Sequence, residues 1–231
     1  MYSILIPSYN EPNLNSLIAE IRKSYSFEII VVDDGSRLPI EAIHNFPEVT
    51  VLRNKKNKGK GYSILKGIKE SERRGCKYSI VLDADFQHDP KDILSFINDS
   101  SDSELILGYR DFKRPMPLLR ILSNKITSSI VSFIVKKNIK DSQCGFRMYR
   151  NSIFKNMQFE EKGFQFESEF LLKTGKSIKI SQVPIKTIYN NNKSHINGVK
   201  DTYKFIKLII KYIIYGKWVS ENISNINDSD W

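Results

Sequence analysis

The sequence predicts an α/β fold: a mostly parallel sheet with helices on both faces, plus a C-terminal amphipathic helix. Three observations predict it. Short, continuously apolar runs recur through the first half and alternate with stretches of helical period, as expected for strands buried on both faces. Two of these runs end on clustered acids, Asp33-Asp34 and Asp83-Ala84-Asp85, and open α/β sheets bind ligands at the carboxyl ends of their strands. The chain has 231 residues and is 40% hydrophobic, enough for one large domain with an ordinary core.

The elements follow in order. Residues 2–7 form a short apolar strand. Residues 13–24 place Leu14, Leu17, Ile18 and Ile21 at helical spacing. A β-branched run over 27–32 ends in VVDDGS, and 49–53 is a third strand. Residues 59–74 read as a helix closed by Gly75. A fourth strand, 78–82, runs into LDADFQHDP, where Asp89-Pro90 starts a helix over 90–97. Residues 104–107 make a fifth strand. The second half is less regular. It offers a long helix over 117–137, a polar loop over 138–145, an extended stretch at 146–149 and a helix over 165–173. A strand over 178–182 and 185–189 is interrupted at Pro184. A polar loop over 190–198 precedes a helix over 201–215. With no repeat and no linker, residues 1–217 are expected to be one domain. Residues 1–110 would carry the nucleotide side, 111–198 the acceptor side and 199–217 an interfacial helix, with a disordered tail over 218–231.

The formal charge is +10, concentrated in 53–77, 110–155 and 186–217. This excess suits a nucleic acid, an acidic membrane surface or phosphorylated substrates, or simply solvated lysine-rich faces. A nucleic-acid module would interleave aromatic and basic residues on a sheet surface; no such pattern is present, so no nucleic acid is expected. Cys76 and Cys144 are the only cysteines, too few for a usual zinc site or a disulfide framework, which points to a reducing cytosol. The opening MYSILIPSYNEP does not read as a signal peptide. No apolar run reaches the roughly 18–20 residues of a membrane span. A soluble or surface-bound protein is expected.

Alternation along an extended chain turns Asp83 and Asp85 to the same side. Two clustered carboxylates repel unless a positive charge lies between them. A divalent cation bridging to a diphosphate fits, because hard cations take carboxylate and phosphate oxygens. The plainer alternative is a strand end, a turn and a helix cap; Asp89 can cap while Asp83 and Asp85 ligate. Asp33-Asp34-Gly35-Ser36 likewise suits a β-turn. Lys58 and Lys60 flank Gly59 ahead of a helix N-terminus, where backbone N–H groups favour anions. Their spacing does not match a Walker A loop.

Taken in order, IPSYNEP, VVDDGS, NKGKGYSILKGI and LDADFQHDP resemble the family 2 glycosyltransferases of the GT-A fold, a Rossmann-like architecture. GYR at 108–110, DSQCGFRMYR at 141–150, GFQFESEFL at 163–171 and VPI at 183–185 resemble the dolichol- or polyprenyl-phosphate sugar synthases within it. The resemblance runs from residue 2 to about residue 205. It implies that Pro7, Tyr9, Glu11, Asp33, Asp34, Lys60, Asp83 and Ala84 lie along the nucleotide. Asp33 and Asp34 would accept hydrogen bonds from base and ribose. Asp83, Asp85 and Gln87 would hold Mg2+ or Mn2+ on the donor diphosphate, with His88 beside them rather than ligating. Arg110, Arg114, Arg120, Ser123 and Lys125 would hold a lipid phosphate, for which the arginine fork is suited. Asp141, in a loop facing the donor sugar, joins Asp85 and Arg114 as a catalytic candidate. Arg147 would support that loop or a phosphate. Glu167 and Glu169 belong to an acceptor-side acidic segment, and one of them would orient a sugar hydroxyl. Cys144 reads as a small packing residue.

In the last helix, Lys200, Lys204, Lys207 and Lys211 form one narrow stripe, and Phe205, Ile206, Leu208, Ile209, Ile210, Tyr212, Ile213 and Ile214 cover nearly all the rest, with Trp218 just beyond. Such a helix suits an anionic membrane interface; packing on the sheet with its lysines in water is the alternative. Residues 118–135 offer a second interfacial helix. The expected activity is metal-dependent, inverting transfer of a hexosyl group from GDP-mannose or a UDP-sugar to a polyprenyl or dolichyl phosphate, at the cytoplasmic face of a membrane. A soluble glycan or protein hydroxyl is the alternative acceptor; it would require a true general base. A nucleotide-sugar pyrophosphorylase would need a glycine-rich signature after the first strand, which IPSYNEP does not supply. The residues leave open whether a membrane-anchoring subunit joins the protein.

Overall fold

The structure is a computed structural model. It describes residues 1–38, 40, 46–100, 102–111, 118–186, 188 and 198–214, with the backbone alone for 118–120, 198–202 and 214. Seven strands make one sheet: β1 (Tyr2–Ser8), β2 (Glu28–Asp33), β3 (Thr50–Arg53), β4 (Tyr78–Val81), β5 (Leu105–Arg110), β6 (Arg147–Arg150) and β7 (Ile180–Ile185). Their spatial order is β3-β2-β1-β4-β6-β5-β7. All neighbours are parallel except β6, which runs antiparallel to both β4 and β5. The helices are α1 (Leu14–Arg22), α2 (Lys60–Arg73), α3 (Ile93–Asn98), α4 (Leu118–Val135), α5 (Phe166–Thr174) and α6 (Gly198–Ile214).

Strand alternation divides the core into two layers. Ile4, Ile6, Ile29, Val31, Ile80, Ile106 and Met148 face one side and pack with Leu14, Leu17, Ile18 and Ile21 of α1 and Phe96 of α3. Leu5, Ile30, Val32, Val81, Leu105, Leu107 and Tyr149 face the other, against α2, α4, α5 and α6. Both layers are fully buried at the strands, which is why β1 and β2 read as continuous apolar runs.

Three boundaries differ from the sequence expectation. The helix expected over 90–97 is a 3₁₀ turn, Pro90–Asp92, followed by α3. Asp89 caps that turn, accepting a hydrogen bond from the Lys91 N–H at 3.0 Å. The fifth strand runs past Leu107 to Arg110, so Tyr109 and Arg110 are sheet residues. Pro184 does not interrupt β7: it pairs with Tyr109 in a continuous strand. This is the sheet's edge, where the missing N–H costs no ladder bond. The loop expected over 190–198 lies outside the described residues except for Gly198, as do Tyr215 and the tail 218–231.

Candidate active site

The carboxyl ends of β1, β2 and β4 bring the predicted nucleotide and metal residues to one edge. Pro7 pairs with Val32 and Ser8 with Asp33 in register. Beyond β1, the Asn10 backbone N–H donates to Ser36 Oγ at 2.9 Å, and Asn10 Oδ1 accepts from Arg37 N at 2.8 Å. These two bonds tie the loop after β1 to the loop after β2. Asn10 adopts a positive φ of 51° there. Tyr9 is exposed beside them, and Glu11 accepts from the Asn13 backbone and side chain at the start of α1.

Asp33 and Asp34 are both buried and bonded within the protein. Asp33 accepts from Ser36 N at 2.8 Å and pairs with Arg53. Arg53 also donates to the Ser36 carbonyl at 2.7 Å. Asp34 accepts from Asn54 Nδ2, Lys58 N and Gly59 N at 2.8, 2.9 and 2.8 Å. Asp34 therefore shapes the loop that leads into α2. Gly59 needs its φ of 97°, and a Cβ there would sit 2.3 Å from the Lys162 carbonyl oxygen.

Lys60, the first residue of α2, joins the two halves of the site. Its ammonium pairs with Asp83 Oδ1 at 2.6 Å and with Glu167 Oε1 at 2.9 Å. Burial by itself would lower the lysine pKa, but Asp83 and Glu167 outweigh it and raise it. Burial would raise the pKa of Asp83; Lys60 and His88 reverse this and hold the carboxyl well below the usual range. Asp85 differs: burial, then repulsion from Asp83, pushes its pKa up, while its Oδ1 accepts from Gln87 N at 3.1 Å. His88 Nε2 lies 3.8 Å from Asp83 Oδ2, and its ring packs on Phe146. Ala84 is buried between the acids, and Phe86 has a positive φ of 62° as the chain turns away. Among the described residues no cluster of three or more His, Cys, Asp or Glu side chains could hold a metal by itself. Asp83, Asp85 and the Gln87 amide oxygen nevertheless suit a hard cation that shares its sphere with phosphate oxygens.

The acceptor-side residues arrive through β6. Register places Arg147 opposite Val81 on one side and Leu107 on the other, so the loop before it ends beside Asp83. A Cβ on Gly145 would lie 2.6 Å from both Asp83 Oδ2 and Lys60 Nζ. Arg147 is fully buried and donates to three carbonyls, of Cys144 at 2.7 Å, Glu167 at 3.0 Å and Ser142 at 2.7 Å. It braces the loop against α5. Asp141 is also fully buried, and the Arg110 guanidinium grips it at 2.7 and 3.0 Å. The two residues assigned separately to sugar and lipid phosphate are thus partners. Cys144 is buried, and burial, with Asp141 adding, pushes its thiol up to about 12.

Glu169 accepts from Glu160 N and Glu161 N and pairs with Lys173 at 2.7 Å. It is buried and braces the 160–161 segment. Glu167 keeps its Oε2 buried with no hydrogen-bond partner among the described residues. On α4, Ser123 and Lys125 are exposed. Arg114 lies outside the described residues, as does the Arg120 side chain. The link from Lys60 to Glu167 escaped the sequence reading; Glu167 shows no local signal for it, since its partner lies on a distant helix.

Residues 3–158 match the family described as "Glycosyl transferase family 2". An N-acetylglucosaminyltransferase of Methanococcus voltae, named for UDP-N-acetylglucosamine and dolichyl phosphate, is 31% identical over 80% of this chain and 85% of its own length. The dolichol-phosphate mannosyltransferase of Pyrococcus furiosus is 30% identical over 95% of this chain and 64% of its own. Mannosyl-3-phosphoglycerate synthase from Rubrobacter xylanophilus superposes with a TM-score of 0.72 at 14% identity, covering 100% of this chain and 78% of that one. The family match spans more than half of the sequence and the neighbours share the fold: the chain belongs to glycosyl transferase family 2 and is a glycosyltransferase with the GT-A architecture.

Proposed function

We propose that the chain transfers a hexosyl group, with inversion, from a nucleotide-sugar to a dolichyl or other polyprenyl phosphate. The relatives support the acceptor more than the sugar. The M. voltae and P. furiosus enzymes and a dolichyl-phosphate beta-glucosyltransferase of Dictyostelium discoideum, 28% identical over 86% of this chain, bear three different sugars in their names and one lipid phosphate. The observation that carries the reading is the state of the acids. A hydroxyl acceptor needs a general base, yet Asp141 is locked to Arg110 and Glu169 to backbone and Lys173. Glu167 is paired with Lys60 through Oε1, which leaves its Oε2 as the one oxygen of the three acids to test as a base. A phosphate acceptor arrives already charged, so positioning suffices.

Pro7, Tyr9, Glu11, Asp33 and Asp34 would line the nucleotide. Asp83, Asp85 and Gln87 would hold Mg2+ or Mn2+, whose chemistry here is to offset charge on the departing diphosphate. A glucosyl-3-phosphoglycerate synthase of this fold from Mycobacterium tuberculosis was solved with Mn2+ and uridine diphosphate. Glu167 Oε2 would accept from a sugar hydroxyl, and the braced loop 141–146 would face the sugar. The acceptor phosphate would meet Arg114, Arg120, Ser123 and Lys125.

The protein would work at the cytoplasmic face of a membrane. No described helix is long and apolar enough to cross one. On α6, Phe205, Leu208 and Ile209 pack on the body while Tyr203, Ile206, Ile210 and Ile213 stay exposed, which supports peripheral docking.

Transfer from radiolabelled GDP-mannose, UDP-glucose and UDP-N-acetylglucosamine to dolichyl and undecaprenyl phosphate, with and without EDTA, tests the proposal. One donor should label a lipid and EDTA should stop it. Undiminished transfer in EDTA removes the metal role, and no labelled lipid with any donor removes the acceptor.

A further inference from the structure

Lys60 occupies an unusual place for a helix-start lysine. Its side chain is only 13% exposed, and its ammonium is shared between Asp83 Oδ1 at 2.6 Å and Glu167 Oε1 at 2.9 Å. Gly145 lets the loop close over this pair, since a Cβ there would lie 2.6 Å from the ammonium and from Asp83 Oδ2. The ammonium is thus flanked by α5, the end of β4 and the 141–146 loop.

Any cation placed on Asp83 and Asp85 must share Asp83 with that ammonium. It meets two carboxylates whose charge a neighbouring cation already offsets in part, and it is repelled by that cation at short range. A diphosphate on the far side of the same ion restores the missing negative charge. Resting on the metal reading given above, we infer that Lys60 makes divalent-cation binding conditional on the nucleotide. It is a positioning residue: it weakens the site for a free metal ion, so that ion and nucleotide bind together. Glu167 tunes this, because it draws part of the ammonium's charge away from Asp83.

Titration calorimetry of the full chain with Mn2+ alone, and with Mn2+ in saturating UDP or GDP, tests the inference. The intact protein should bind Mn2+ alone at least about tenfold more weakly than with one of the two nucleotides. Lys60→Met should bind Mn2+ alone about tenfold more tightly than the intact protein, with a smaller gain from nucleotide. Glu167→Gln should shift the other way and weaken Mn2+ alone. Damage to the fold would weaken every variant, so tightening is the discriminating outcome. If Lys60→Met binds Mn2+ no more tightly than the intact protein, the inference fails while the metal site stands. If Lys60→Met proves unfolded by circular dichroism, Lys60→Gln takes its place: Mn2+ binding no tighter than that of the intact protein overturns the inference. If the intact protein takes up no Mn2+ with either nucleotide, the metal reading falls and this inference with it.

Discussion

Gly145 shows how tightly one residue can constrain this site. Asp83 Oδ2 and Lys60 Nζ both stand where its Cβ would be, at 2.6 Å. Neither can retreat freely, since Lys60 is held by Glu167 and Asp83 by Lys60. Gly145→Ala should fold normally yet lose about a hundredfold in transfer rate, because a displacement of about 1 Å at a reacting site costs that much. A normal rate with normal circular dichroism would show that the loop can yield. Asp85→Ala should abolish transfer outright with the fold intact, and retention of a tenth of the activity would remove Asp85 from the metal set. The place of Asp83 and Asp85 was legible in the sequence because the preceding apolar run is a local signal, but strand alternation does not orient them: β4 ends at Val81, and Ala84 and Asp85 lie in a turn. Arg147 was only half legible. Its basic charge suggested a phosphate or a loop, and the structure gives it three backbone carbonyls. The choice depended on burial, which β6 imposes through pairing with β4 and β5.

At the scale of elements, strands β1 to β4 and helices α1 and α2 lie within a few residues of where periodicity places them; β1, β2, β4 and the two helices each bury an apolar run or stripe, while β3 is only half-buried. The antiparallel insertion of β6 between β4 and β5 left no such trace. A four-residue strand of Arg, Met, Tyr and Arg has little pattern of its own. Its partners are fixed by tertiary contacts, among them a buried polar cluster. Ser3 Oγ meets Ser71 Oγ at 2.7 Å, and Ser79 Oγ meets Ser71 Oγ at 2.9 Å and Asn151 Oδ1 at 2.7 Å. Asn151 Nδ2 donates to Ser71 Oγ and the Cys76 carbonyl. This cluster ties β1, α2 and β4 to the residue after β6. Asn151→Ala would leave buried hydroxyls and a carbonyl short of partners and should cost about 2–3 kcal/mol, read by urea denaturation. A loss below about 0.5 kcal/mol would mean that water replaces the amide. The outermost helix gives a prediction of another kind. Lys204 and Lys207 are exposed on α6, while Lys211 pairs with Glu160. Changing all three to Glu should abolish flotation with anionic liposomes; equal flotation of both proteins, or none with either, would leave α6 as a packing helix only.

Across the whole molecule, each of the two core layers buries a weakly acidic group whose deprotonation burial opposes. Cys144 belongs to the α1 layer and Tyr149 to the α2–α5 layer. Burial raises both, the thiol to about 12 and the phenol to about 12, from ordinary values of 9.0 and 10.0. The folded chain therefore holds protons that the unfolded chain releases. Stability falls with rising pH wherever the folded state binds more protons. The contribution of each group is complete below its unfolded value and is lost as pH climbs toward its folded value. For Cys144 the loss begins near pH 9 and for Tyr149 near pH 10, and both continue to about pH 12. Each group contributes a slope of about 1.4 kcal/mol per pH unit within its window. Urea denaturation at pH 8, 9.5 and 11 should show little change between the first two and a steep drop by the third. Tyr149→Phe should flatten the fall above pH 10, and Cys144→Ala the part that begins near pH 9. Because the two groups lie on opposite faces of the sheet, their effects should add in the double variant. An undiminished fall in the double variant would place the alkaline weakness elsewhere, in the lysine pairs that span the site.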